Sequence, residues 1–176
     1  MLLGLVIGCG INVFDEAEAA LRLFEPDAIF LVNDMIAKWP KRADYFCSLH
    51  AENLYGWISE RERNKFPMGA EVWSDKGHPY KVVEKTATDW QGSSGLFAVK
   101  VALVENFDKL VIAGIPMETK HNHIERNREI WATAASFHPG WIANKVILKA
   151  RVRSMSGWTK NLLGEPTKEW LESEIV

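Results

Sequence analysis

The chain has 176 residues, 47% of them hydrophobic and 25% charged, which suits a single globular domain and leaves no room for disordered or collagen-like classes. A net charge of −2 and a pI near 6.2 argue against dependence on a phosphate backbone, so no nucleic-acid partner is expected. The two cysteines, Cys9 and Cys47, form neither a disulfide framework nor a zinc spacing and read as reduced structural thiols.

Leu2 to Ile7 reads as a buried strand that ends in Gly8-Cys-Gly10. This apolar run has no basic start and is too short to span a bilayer, so neither a signal peptide nor a membrane helix is expected, and a cytoplasmic protein is. Asp15 can cap a helix from Glu16 to Phe24, with Ala17, Ala20, Leu21 and Phe24 on one face. Ala28 to Val32 is a second buried strand, with Asn33 and Asp34 at its carboxyl end, and the whole makes a right-handed βαβ unit. Tyr45 to Leu49 reads as a third strand ending at His50, Glu52 to Arg63 as an amphipathic helix, and Ala70 to Trp73 as a fourth strand.

From 74 to 91 the pattern becomes an irregular excursion, with one short strand candidate at 81–83. The stretch from Asp89 to Met117 then organises the chain. A polar turn, Gly92-Ser-Ser-Gly95, leads into a helix in which Ser93 or Ser94 can serve as the N-cap. Leu96, Val99, Leu103 and Val104 recur at helical spacing, widened by Phe97 and Val101. Leu110 to Ala113 is short and unbroken, as for a strand covered on both faces, and runs into Gly114-Ile-Pro116. A helix is expected over 124–136, stopped by Phe137-His-Pro-Gly-Trp141, and Lys145 to Val152 reads as a last strand or an extended segment. Gly157-Trp158 marks a turn in a C-terminal tail over 152–176, where Thr167 can cap a short helix to about Glu174.

Strands alternating with helices predict a three-layer α/β fold of the Rossmann-like kind: a mostly parallel sheet with helices on both faces, as one nucleotide-binding domain over 1–176. In such a sheet the ligand crevice lies beyond the carboxyl ends of the strands. That rule collects Gly8, Gly10, Asn33, Asp34, His50, Ser93, Ser94, Gly95, Gly114 and Pro116 as candidate ligand-binding residues. Gly8-x-Gly10 is half of a dinucleotide fingerprint and its third glycine position is Val13, so NAD is not favoured. Backbone N–H groups of the first turn and the helix start suit a phosphate or a sugar hydroxyl. Asn33 can pair with a base or ribose, or instead close its own turn. His121 and His123 follow the Gly114 turn and can act as a general base near neutral pH, each weighed against a solvated loop histidine. No cofactor is implied and no metal-ligand spacing is present, with Asp34 the one strand-end acid that could alter this.

Gly8-Cys-Gly10, Asn33, Gly92-Ser-Ser-Gly95 and Leu110-Val-Ile-Ala-Gly-Ile-Pro-Met117 together resemble the bacterial CMP-sialic acid-dependent sialyltransferases and the bacterial and phage proteins related to them. The resemblance implies that Gly8, Gly10, Asn33, Ser93, Ser94 and Gly95 hold a cytidine nucleotide and that His121 or His123 activates an acceptor hydroxyl. The chain differs from that family in having Pro116 where an acidic residue follows the Gly-Ile turn. Its tyrosines, Tyr45, Tyr55 and Tyr80, all precede the serine turn. Two functions are therefore expected in parallel: a glycosyltransferase-like enzyme acting on a nucleotide or nucleotide sugar, and a non-catalytic, phage-type protein that holds a nucleotide or signalling metabolite. No membrane partner is expected, and a homo-oligomer is left open.

Overall fold

The computed structural model describes residues 1–77, 82–120, 123–124 and 131–175. Strand β1 (Leu3–Ile7) is followed by α1 (Val13–Leu23), β2 (Ala28–Val32), the short α2 (Met35–Lys38), β3 (Tyr45–Cys47), α3 (Ala51–Arg63), β4 (Glu71–Ser74) and β5 (Lys85–Thr86). The buried helix α4 (Ser93–Val104) leads to β6 (Lys109–Ala113). Helices α5 (Ala134–Ala143) and α6 (Lys145–Arg151), strand β7 (Val152–Ser154), α7 (Gly157–Leu163) and α8 (Lys168–Glu172) complete the order.

Among the described residues seven strands run parallel in the order β5-β4-β3-β2-β1-β6-β7. The chain starts near the middle, walks outward through β2 to β5, then returns over α4 to lay β6 on the free side of β1. The direction of travel reverses between β1 and β6, and there the connections leave on opposite faces and open a crevice.

Side-chain alternation divides the core into two. Val6, Phe30, Val32 and Ile112 face one layer with α4, Trp141, Leu148 and Leu163. Leu5, Ile7, Leu31, Val111 and Ala113 face the other, with Val13, Ala17, Ala20, Leu54 and Leu171. Both faces of the strands are apolar because both are covered, which is the reason for their unbroken hydrophobic runs. Three layers with one continuous parallel sheet are the expected α/β architecture.

Local boundaries differ in instructive ways. Helix α1 begins after Asn12 rather than at Asp15, which lies inside its first turn, and Asn12 makes no side-chain cap bond. Strand β4 is shifted by one residue, and the strand pairing with it is Lys85–Thr86; of the 81–83 candidate, residue 81 lies outside the described residues and 82–83 are not in a strand. Of the helix expected over 124–136, residues 125–130 lie outside the described residues, 131–133 are not helical, 134–136 open α5, and the expected stop is not a stop. Phe137 to Trp141 lie within α5, with Pro139 inside the helix. Gly140 there packs against the backbone of Trp90 and Gln91, where a Cβ would approach Trp90 O to 2.6 Å. The Trp141 indole donates to Gly92 O at 2.7 Å, so tertiary contact outweighs the hydrogen bond that Pro139 forgoes. Residues 145–151 are helical, with Val152–Ser154 alone in the sheet. The β-branched pair Val146 and Ile147 is exposed while Leu148 and Val152 point inward. The Gly157-Trp158 turn is the start of α7, and Thr167 caps α8 by accepting from Trp170 N–H at 3.1 Å. The expected 152–176 tail, described to residue 175, thus supplies a strand of the sheet and helices that cover it.

Two buried cations anchor the ends of elements. Lys109, 1% exposed, directs its ammonium at the carbonyls of Trp170 and Ser173, and at Leu171 O at 3.4 Å, where α8 ends. Arg61, fully buried, donates to Ile36 O at 3.1 Å, Trp39 O at 2.6 Å, Lys41 O at 2.7 Å and Pro67 O at 2.7 Å. One guanidinium therefore satisfies the carbonyls around the end of α2, a segment with no sheet partner of its own. Because leaving even a single buried acceptor unsatisfied costs about 1–3 kcal/mol, Arg61→Met is expected to lower unfolding free energy by at least about 3 kcal/mol. Urea denaturation checks this, and an unchanged midpoint would contradict the anchoring role.

Candidate functional site

The crevice at the β1/β6 reversal has a volume of about 610 Å³. Five turns wall it. Gly8, Cys9 and Gly10 follow β1, Asn33 and Asp34 follow β2, and Leu49 and His50 follow β3. Ser93, Ser94 and Gly95 open α4, and Gly114 to Met117 follow β6. His123, Asn53, Trp57, Trp131 and Phe137 complete the wall. Gly8, Gly10, Asn33, Asp34, His50, Ser93, Ser94, Gly95, Gly114, Pro116 and His123, separated widely in sequence, are thus brought round one space. His121 lies outside the described residues.

The roles of these groups in the fold differ from one turn to the next. Gly8 N–H donates to Ala113 O and Gly10 N–H to Gly114 O, both at 2.8 Å, so these two donors are spent on the end of β6 and the turn after it. A Cβ on Gly8 would meet Gly114 O at 2.6 Å, and one on Gly10 would meet the Gly114 backbone at 3.0 Å. The glycines allow two turns to touch. Gly114 N–H in turn donates to Glu16 Oε2 at 2.7 Å.

Asn33 adopts φ 53°, in the left-handed region that asparagine tolerates, and its Oδ1 accepts from Ser48 Oγ at 2.7 Å. Neither serine caps α4. The cap position is Gly92, without a side-chain bond, while Ser94 Oγ accepts from Leu49 N–H at 3.1 Å. Ser93 holds φ 79° and its hydroxyl approaches Met117 Sδ at 3.7 Å. The start of a twelve-residue helix therefore opens on the crevice without a side-chain cap, leaving its partial positive charge directed there. Asn33, Ser93 and Met117 all have positive φ and all line the crevice. Strained backbone of this kind persists where the surroundings impose it, and functional sites are where it gathers.

His123 Nε2 lies 3.2 Å from Asp34 Oδ2, both partly exposed to the crevice. This hydrogen bond, with the positive charge of a protonated His123 and the Trp57 indole adding to it, holds the Asp34 carboxyl below its ordinary range. An imidazole fixed by a carboxylate has a defined orientation for proton transfer. Cys9 adjoins the pair. Its thiol donates to Val32 O at 3.2 Å, and burial, reinforced by the Asp34 charge, pushes it up to about 12. It stays a thiol at neutral pH and is not an activated nucleophile. Cys9, Asp34 and His123 offer donor atoms all within 4.8 Å of one another, a grouping able to hold a metal ion.

Sequence reasoning missed Cys9, Trp57, Trp131 and Phe137 as crevice residues. Cys9 carries a signal in its place between two strand-end glycines, whereas the aromatic residues have the same helical spacing as core positions. No lysine or arginine is among the described residues of the lining. No family model, curated protein or solved structure matches the chain. No helix among the described residues is long and apolar enough to cross a membrane.

The lowered Asp34 group has a definite pH signature. Its contribution to stability is complete above the unfolded carboxylate value, about 3.9, and is lost as pH falls through the lower folded-state value. Asp34→Asn is expected to flatten the acid limb of the stability curve below about pH 4. Urea midpoints at stepped pH check this, and acid limbs of equal slope in the two proteins would refute it.

Proposed function

We propose that the protein binds a nucleotide or nucleotide sugar across the strand ends, with the phosphate at the start of α4, and that His123 supports transfer of the sugar to an acceptor. The observation that carries this reading is a single crevice shared by the uncapped start of a buried helix and an imidazole–carboxylate pair. Such a helix start favours an anion. With no lysine or arginine among the described lining residues, one phosphate ester suits the crevice better than a diphosphate. Trp131 and Phe137, with ring centroids 5.8 Å apart, supply an apolar wall for a base or sugar ring.

In the transfer step the acceptor hydroxyl gives its proton to the imidazole as its oxygen bonds to the anomeric carbon. The bond from that carbon to the phosphate oxygen breaks, and its electron pair leaves with the nucleoside monophosphate. Asp34 orients the imidazole and stabilises the imidazolium that forms.

A second reading, a non-catalytic nucleotide binder, is favoured by another observation. None of the described tyrosines lines the crevice, and Tyr45 is stacked on Phe30 at 4.3 Å in the core. Among the described residues no phenol is placed to assist the departing phosphate.

Calorimetry with a panel of nucleotides and nucleotide sugars tests binding. Ser94→Asp is expected to weaken the ligand at least tenfold, about 1.4 kcal/mol, by placing a carboxylate at the helix start. Unchanged affinity in a variant with native circular dichroism would remove the phosphate from this position.

Released nucleotide separates the two readings. Replacing His121 and His123 together by Asn is expected to leave affinity within a few-fold while cutting turnover by about 10²–10⁴. Full turnover in the double variant would place the base elsewhere. Binding without any release of nucleotide from the native protein would leave the binder.

A further inference from the structure

We infer that Cys9, Asp34 and His123 form a binding site for one zinc-class metal ion, with an open coordination position facing the crevice. The three donors are a sulfur, a carboxylate oxygen and an imidazole nitrogen, all within 4.8 Å of one another. Donors about 2.0–2.3 Å from a common tetrahedral zinc lie roughly 3.3–3.8 Å apart. His123 and Asp34 are already at 3.2 Å, and a side-chain shift of about an ångström suffices for the third. This mixture selects zinc or cobalt(II) over magnesium or calcium, which take oxygen ligands almost alone.

The surroundings hold the donors in place. Cys9 sits in a turn fixed by the bonds of Gly8 to Ala113 and of Gly10 to Gly114. Ile124 N–H donates to Cys9 O at 2.8 Å, which brings the preceding residue, His123, beside the thiol. Trp57 lines the crevice with Asp34 and helps keep that carboxylate ionised, the kind of outer support that ligating carboxylates commonly have. Both Asp34 and His123 are partly exposed to the crevice, so an ion can reach them. On binding, the Cys9 thiol gives its proton to solvent as the metal–sulfur bond forms. Three protein ligands leave a fourth position for water or a ligand atom, the arrangement of open zinc sites. His123 is a ligand in the metal-loaded protein and a free imidazole base only in the metal-free protein. Zinc uptake is read directly, so this inference does not rest on the nucleotide reading.

The test is zinc uptake by the full chain, stripped with EDTA, in competition with a chromophoric chelator. One zinc per chain is expected, with affinity at least tenfold weaker in Cys9→Ser and in Asp34→Asn and unchanged in Cys47→Ala, whose thiol is buried in β3. In the native protein, cobalt(II) is expected to give the intense visible bands of a tetrahedral ion and a thiolate charge-transfer band in the near ultraviolet. That measurement needs no variant and stands if Cys9→Ser fails to fold. No zinc uptake, uptake unaffected by Cys9→Ser, or a cobalt spectrum without the thiolate band would each overturn the site.

Discussion

Everything at the crevice depends on two turns meeting backbone to backbone. The turn after β1 and the turn after β6 are joined by two hydrogen bonds and approach too closely for side chains on Gly8 or Gly10. This contact extends the parallel pairing of the central strands past their formal ends. It lets the sheet end as a firm floor, and it aims Cys9 outward into the space between the diverging connections. Glu16 reinforces the join from α1 by accepting the N–H of Gly114. A flexible floor would leave the neighbouring polar groups without a shared geometry, because each comes from a different connection.

The crevice is unusual in its charge economy. Its described lining has an acid, two imidazoles and a helix start, and the polar groups nearest the sheet are already engaged with the protein itself. Recognition here relies on fixed dipoles and shape more than on free charge, so it is less exposed to screening by salt. The position of the imidazole–carboxylate pair beside the thiol makes one corner of the crevice chemically distinct from the aromatic wall. A ligand that spans the space therefore meets different chemistry at each end.

The sheet was legible because its strands are covered on both faces and so appear as unbroken apolar runs between glycine turns. The crevice residues were legible for a related reason: parallel topology sends every strand's carboxyl end to one side, and a list of strand-end polar residues is a list of crevice residues. What could not be read was partnership. Nothing in Ser93-Ser94 distinguishes a helix cap from a hydroxyl that accepts from Leu49, and that choice is made by β3 approaching from forty-five residues away. Pro139-Gly140 has the chemistry of a helix end, yet Gly140 is needed for contact with the loop ahead of α4. Likewise Cys9, Asp34 and His123 show no ligand spacing because each sits on a separate connection, and only the folded sheet brings them together.

The lysine cage at the end of α8 gives the molecule a polarity. Lys109 stands at the first residue of β6, so the helix it holds is docked at the amino end of the sheet, opposite the crevice. The first residues of the chain are at that pole as well, where Leu2 N–H donates to Asp108 Oδ2 at 2.7 Å. A bead, a sensor surface or a fusion partner attached beside Leu2 or Ser173 would therefore leave the mouth of the crevice pointing away from the attachment.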